Sequence, residues 1–122
     1  MPATYRIDEA AQIVYSRAWG ALTDADLRDN RAALIRDPAF APTLRQLYDF
    51  SGVTSVGVTS AMVRMLAQTS PFPPGARRAF VVPSDATYGL ARMYAIVGDR
   101  ADEAFRIFRD LQQATVWLSE AE

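Results

Sequence analysis

The sequence predicts an α/β fold: a single mixed, mostly parallel five-stranded sheet in the order ββαβαβαβα, covered by about four helices. Three observations carry that expectation. A chain of 122 residues with 50% hydrophobic content suits one core and is too short for two, so residues 1–122 read as one domain. Short runs of β-branched and aromatic residues alternate with segments of helical periodicity, the pattern of parallel strands joined by right-handed crossovers. Residues that cap helices stand at the junctions between them.

The chain opens with "TYRID", residues 4 to 8, and "IVYSRAW", residues 13 to 19, which predict an antiparallel hairpin ended by Gly20. Thr23 with Asp26 makes a capping pair for the helix "DADLRDNRAALIRD", where Leu27, Leu34 and Ile35 can face a core and Asp37 before Pro38 marks the stop. "RQLYDF" reads as a buried strand. It leads into a hydroxyl-rich stretch, "SGVTSVGVTS", read as a turn broken at Gly52 and Gly57. Residues 60 to 69 form a helix whose stripe is Met62, Met65, Leu66 and Thr69, and "SPFPPG" is a tight connection.

"RRAFVVP" is an interior strand stopped by Pro83. The helix "SDATYGLARMYAIV" follows, with Ser84 or Asp85 as its cap, Gly98 past its end, and Leu90, Met93, Tyr94 and Val97 on one face. "AFRIF" alternates Phe105 and Ile107 with arginine as a last strand. Asp110 with Gln113 resembles a capping box for a final helix carrying Leu111, Ala114, Trp117 and Leu118.

Composition removes much chemistry. There is no cysteine and no histidine, and the basic residues, 13 in all, are arginines. That leaves no thiolate nucleophile, no Cys-based metal site, no lysine amine for a Schiff base and no phosphate-loop lysine. The expectation is a non-catalytic protein with no cofactor and no metal. A net charge of -1 and a pI near 5.4 disfavour nucleic acid as a partner. The opening "MPATYRIDEA" has neither the basic nor the apolar region of a signal segment, and no run approaches a membrane span, so a cytoplasmic location is expected.

In such sheets, ligands and partners meet the loops at the carboxyl ends of parallel strands. One such loop carries Asp49, Ser51, Thr54, Ser55, Thr59 and Ser60; the other carries Ser84 and Asp85, with Tyr88 and Arg92 sharing one face of the helix that follows. Ser84, Asp85 and Thr59 are equally the residues that cap helix starts. Asp49 either belongs to a site or accepts N–H groups of the "SGVT" turn. Tyr88, Tyr94, Trp117 and Trp19 either line an apolar pocket or fill a core. Gly89 inside a helix implies close approach of something, a strand or a ligand. "GVTSVG" lacks the spacing and the lysine of a phosphate-binding loop.

The ββαβαβαβα order together with "DFSGV", Asp49 to Val53, and "GVTS", Gly57 to Ser60, resembles STAS domains, the family of anti-sigma-factor antagonists and the cytoplasmic tails of sulfate transporters. The serine phosphorylated in the antagonists falls at Val58, and Gly57 replaces the motif's aspartate. The blocks "YGLARMY" and "IFRDLQQATVWL" are similar to a bacterial branch called STAS/Sec14-like or SpoIIAA-like.

What the resemblance implies divides in two. STAS relatives bind proteins, which implies a regulatory interaction module lacking the usual phosphoserine, with any surviving switch at Thr59 or Ser60. Sec14-like relatives bind lipids, which implies a small apolar or amphipathic ligand, here with Arg92 near its anionic group. An enzyme built on Asp49 or Asp85 with a serine is the third reading, weakened by the missing bases. A protein partner is expected, and a homodimer is left open.

Overall fold

The opening hairpin is set by its turn. Asp8 accepts the Ala11 N–H at 3.0 Å, and Gln12 takes the left-handed conformation at φ 61, so β1 (Ala3–Asp8) folds back on β2 (Ile13–Thr23) as an antiparallel pair. This and the rest of the architecture come from a computed structural model that describes residues 2–98 and 104–120.

The remaining elements are α1 (Asp24–Arg36), β3 (Arg45–Gly57), α2 (Ser60–Gln68), β4 (Arg78–Val81), α3 (Asp85–Val97), β5 (Phe105–Phe108) and α4 (Leu111–Ser119). The strands lie side by side in chain order, with every pair after the first parallel. The expected mixed, mostly parallel sheet and its ββαβαβαβα order are what the chain forms.

Strand alternation sorts the core into two layers. On one face Phe80 and Val82 of β4 and its extension meet Val63, Leu66 and Ala67 of α2 and Ala91 and Tyr94 of α3, while Leu34 of α1 closes over Val14. On the other face Ile13, Leu47, Ala79 and Val81 meet Ala114, Trp117 and Leu118 of α4. The end of α4 is held by cations: Arg45 donates to the Leu118 carbonyl at 2.7 Å and Arg77 to the Trp117 carbonyl at 2.9 Å, where the helix dipole favours positive charge.

The caps are where they were expected. Thr23 and Asp26 form a reciprocal capping box, Thr59 caps α2, Ser84 caps α3 and Asp110 caps α4. Beyond the end of α1, Tyr5 donates to the Asp37 carboxylate at 2.8 Å and ties β1 to it. The Ala39 N–H and then Tyr5 hold that carboxyl below its ordinary value.

Several expectations need correction. Gly20 does not end β2; it sits at φ 67 beside a register irregularity, and the strand runs on to Thr23. Because β2 continues, the hydroxyl-rich stretch has a partner, and residues 51–57 extend β3 rather than turning, with Ala21 opposite Ser55 and Leu22 opposite Val56. Three apolar residues assigned to helix cores are exposed: Ile35 at 47%, Met65 at 37% and Leu111 at 43%. In α1 the expected Leu27 and Leu34 do face inward and only Ile35 does not, while in α2 the inward stripe is rotated by about one residue and runs through Val63, Leu66 and Ala67. In α4, contact is made by the later turns, through Ala114, Trp117 and Leu118.

Gly89 is not approached closely either; a Cβ there would meet nothing within 4 Å. The tightest approach is at Gly52, whose added Cβ would stand 2.9 Å from the Trp19 Cβ; at Gly57 it would stand 3.2 Å from the Leu22 carbonyl oxygen.

These two glycines should respond oppositely to alanine. Gly52→Ala forces backbone or Trp19 to move and should destabilise by about 1–3 kcal/mol. Gly89→Ala removes a helix-interior glycine with no clash and should stabilise by about 0.5–1 kcal/mol. Urea denaturation midpoints at unchanged slope measure both, and a neutral Gly52→Ala would contradict the close β2–β3 approach.

Candidate functional site

Apolar alternation fails at three inward positions of the sheet: Ser16 on β2, Gln46 on β3 and Arg78 on β4, each 3% exposed. Gln46 and Arg78 are register partners, so their side chains leave the sheet side by side. Arg78 donates from Nε to Gln46 Oε1 at 2.9 Å and from Nη1 to the Tyr94 hydroxyl at 2.9 Å. Gln46 Nε2 in turn donates to Ser16 Oγ at 3.1 Å. Aromatic faces surround the same guanidinium, with Phe72 at 4.5 Å, Phe80 at 5.3 Å, Tyr94 at 5.4 Å and Phe105 at 5.6 Å from its carbon to the ring centroids. Desolvating a cation is costly, and hydrogen bonds to oriented oxygens plus ring faces offset that cost.

Above this network lies a partly open cavity of about 100 Å³ between the sheet and helices α1, α2 and α3. Its walls are mostly apolar, including Leu27, Phe50, Val63, Leu66, Phe80 and Leu90. Its polar groups are Arg78, Tyr94, Gln46 and Ser16 from the network, together with Tyr48, Asn30, Arg31 and Thr87. Asn30 donates to the Tyr48 hydroxyl at 3.0 Å.

Helix α2 is tied to α1 at both ends, beside the cavity. At the start, the Asp24 carboxylate accepts both the Thr59 N–H and its hydroxyl, each at 2.8 Å. At the end, Arg31 donates to the Thr69 hydroxyl at 3.2 Å.

The electrostatics follow from burial next to cations. Burial opposes ionisation of Tyr94, but Arg78, the Ser70 hydroxyl and Arg31 outweigh it and bring the phenol down to about 8. Burial pushes Tyr48 up to about 12, against the Asn30 hydrogen bond and Arg31. Burial also pulls the Arg31 guanidinium below its ordinary value; Tyr94 opposes that and the like charge of Arg78 adds to it. The arrangement is a receptor for a molecule with an apolar body and a polar or anionic end. Among the described residues, no group of three or more His, Cys, Asp or Glu side chains could hold a metal.

The residues singled out from sequence fall elsewhere. Asp49 lies on the sheet face opposite the cavity, since its neighbours in β3, Tyr48 and Phe50, pack with the three-helix side. Its carboxylate accepts the Ser51 N–H at 2.9 Å. Ser51 and Thr54 are exposed on the extension of β3. Thr59 is engaged in the α1–α2 clasp and also accepts the Met62 N–H at 3.1 Å, with Ser60 exposed beside it. Ser84 caps α3 through the Thr87 N–H. Asp85 pairs with Arg109 at 3.0 Å in solvent. Tyr88 lies under the Arg109 guanidinium at 4.4 Å, and Arg92 is exposed.

The structure therefore brings Ser84, Asp85 and Tyr88 near Arg109, and keeps Asp49 and Ser51 apart from the cavity. Tyr94, weighed as pocket or core, serves both. Arg31, Gln46 and Arg78 were missed. The available signal was polar residues at positions where neighbouring strands and the α1 stripe are apolar.

No protein-family model and no curated protein matches the chain. Among solved structures, it is similar to the crystal structure of an uncharacterized protein from the DUF3478 family with a SpoIIAA-like fold from Shewanella loihica PV-4. The two share 18% identity over 95% of this chain and 93% of that chain, with a TM-score of 0.60. The fold of this chain is SpoIIAA-like. Among the described residues no helix is long and apolar enough to cross a membrane.

The two buried phenols predict a split titration. Of the 5 tyrosines, Tyr94 should ionise near pH 8 and Tyr48 only near pH 12. Between about 8 and the ordinary value of 10.0, the unfolded state holds more protons at Tyr94, so its contribution to stability rises with pH. Above the ordinary value the sign reverses for Tyr48, which contributes stability that is lost toward pH 12. Tyrosinate absorbance should show the early step in the wild type and lose it in Tyr94→Phe. A single transition near pH 10 would contradict the Arg78–Tyr94 geometry.

Proposed function

We propose that this chain is a non-catalytic module of STAS-like type that binds a small apolar or amphipathic molecule inside the cavity between its sheet and helices α1, α2 and α3. The reading rests chiefly on one observation: a mostly apolar, partly open pocket of about 100 Å³ with buried guanidinium and phenol groups at its wall. Natural interiors are packed to near-crystalline density, and a space of this size in a chain of this length is a feature that ligand binding explains. The cation facing the ligand is Arg31 or Arg78 in this reading, in place of the exposed Arg92.

A second reading, an interaction module for a protein partner, draws on the hairpin surface. There Arg17 covers Trp19 at 4.8 Å and Arg6 covers Tyr15 at 4.3 Å, and exposed arginines over half-buried aromatic rings suit protein contacts.

The two readings separate by where substitutions act. Protein purified gently from its own cells and denatured for mass spectrometry should release a small molecule. Ala91→Leu, which adds carbon into the cavity from α3, should fold with unchanged circular dichroism and carry none. A ligand saturating the site at a hundred times its Kd should stabilise the wild type by about 2.7 kcal/mol and leave Ala91→Leu unmoved. An empty wild type, with no thermal shift across a panel of small amphipathic compounds, would overturn the proposal. Loss of a captured partner on Trp19→Ala would then favour the surface.

A further inference from the structure

We infer that the cavity's ligand carries an uncharged carbonyl oxygen, and that the Tyr48 hydroxyl is the group that recognises it, with the Ser16 hydroxyl as a second donor beside it. This rests on the reading of the cavity as a ligand site and adds the ligand's chemical class and the residues that select it.

Strand register sets the two hydroxyls together. Ser16 on β2 and Tyr48 on β3 are Cα partners, and both line the cavity. Each accepts a hydrogen bond from an amide: Gln46 Nε2 donates to Ser16 Oγ at 3.1 Å, and Asn30 Nδ2 donates to Tyr48 Oη at 3.0 Å. The orientation of both amides is fixed by their other contacts. Arg78 Nε can only donate, so the Gln46 oxygen faces it at 2.9 Å and the amide nitrogen is left for Ser16. The Thr4 carbonyl can only accept, so the Asn30 nitrogen faces it at 3.5 Å and the same nitrogen serves Tyr48.

What each hydroxyl has left to offer is its proton. Neither donates to any of the described residues. Burial keeps the Tyr48 phenol protonated by pushing it up to about 12. Its ring is held by stacking on Phe50 at 4.4 Å and by an edge contact with Phe80 at 5.7 Å, so the place of the donor is set. Once the apolar body of a ligand displaces water from the pocket, a donor left without an acceptor is costly, and the ligand itself has to bring the oxygen. A ligand N–H or O–H would meet oxygens that already accept an amide. Desolvating a carboxylate on a mostly apolar wall costs far more than desolvating a carbonyl. A ketone or ester carbonyl meets both conditions.

The test is a cycle of two ligands and two proteins. The full chain is titrated with methyl propyl ketone, with the hydrocarbon in which a methylene group replaces the carbonyl oxygen, and with butyrate, which has the same outline and a negative charge; nitrogen–proton correlation spectra follow binding. Tyr48→Phe removes only the hydroxyl. It should lower the ratio of ketone to hydrocarbon affinity by about fivefold or more, the worth of one hydrogen bond, and Ser16→Ala should lower it by less. The wild type should prefer the ketone to butyrate. The carbonyl stretch of isotope-labelled bound ketone should lie at lower frequency in the wild type than in Tyr48→Phe, which a merely structural role of Tyr48 would not produce. An unchanged ratio and stretch in Tyr48→Phe would overturn the inference while leaving the cavity a ligand site, and an unchanged ratio in Ser16→Ala would remove Ser16 from it. Butyrate binding more tightly than the ketone would overturn the uncharged class. No binding by any of the compounds would overturn the carbonyl inference, and the ligand-site reading falls separately if the protein from its own cells also proves empty.

Discussion

The burial of the Arg78 guanidinium constrains most of what surrounds it. A cation 3% exposed at the start of an interior strand is tolerable only where oxygens and ring faces are fixed in place before it arrives. Gln46 supplies one oxygen because β3 and β4 pair in the register that sets it opposite Arg78. Tyr94 supplies another because α3 crosses back over the sheet at that point, and Phe72, Phe80 and Phe105 complete the shell. A one-residue slip of β4 would turn Arg78 toward α4 and Ala79 toward the aromatic shell, so the arginine also specifies register.

The cavity borders the same network. The side chains that satisfy the guanidinium, Gln46, Ser16 and Tyr94, are themselves held by its hydrogen bonds and form part of the cavity wall. The space above them is roofed by α1 and α2, and the roof is joined at Thr59 and Thr69. Thr59 and Ser60, weighed as a switch from sequence, thus stand at the hinge side of the roof. A charge added to Thr59 would face the Asp24 carboxylate that now accepts its hydroxyl.

Much of the fold was legible in local chemistry. Thr23 with Asp26, Thr59, Ser84 and Asp110 each marked a helix start that the structure realises, because capping is decided within one turn of chain. The element order followed from the alternation of strand-like and helical segments. What was not legible depends on distant partners. Whether "SGVTSVG" is a turn or a strand is settled by how far β2 runs beside it, and nothing inside the stretch says so. That Ile35 and Met65 are exposed is set by how the helices dock. Arg78 sat within "RRAFVVP", where Phe80 and Val82 share its parity, but an arginine at a strand's first position is ordinarily a solvated end. The loop hydroxyls drew attention because they are polar and exposed, whereas the cavity is built from polar groups that are polar and buried.

The similarity to a SpoIIAA-like structure at 18% identity fixes architecture, and function has to be argued from the site. The central claim is that Arg78 is a charged, desolvated and rigidly held group whose environment forms the wall of a ligand cavity. Its Nε–Hε proton reports this directly, because side-chain protons of solvated arginines exchange rapidly with water while a buried, hydrogen-bonded one is protected. In a nitrogen–proton correlation spectrum assigned by Arg78→Lys, the account predicts one Nε–Hε signal that persists in slightly alkaline solution. A signal that exchanges as fast as those of the exposed arginines would contradict it.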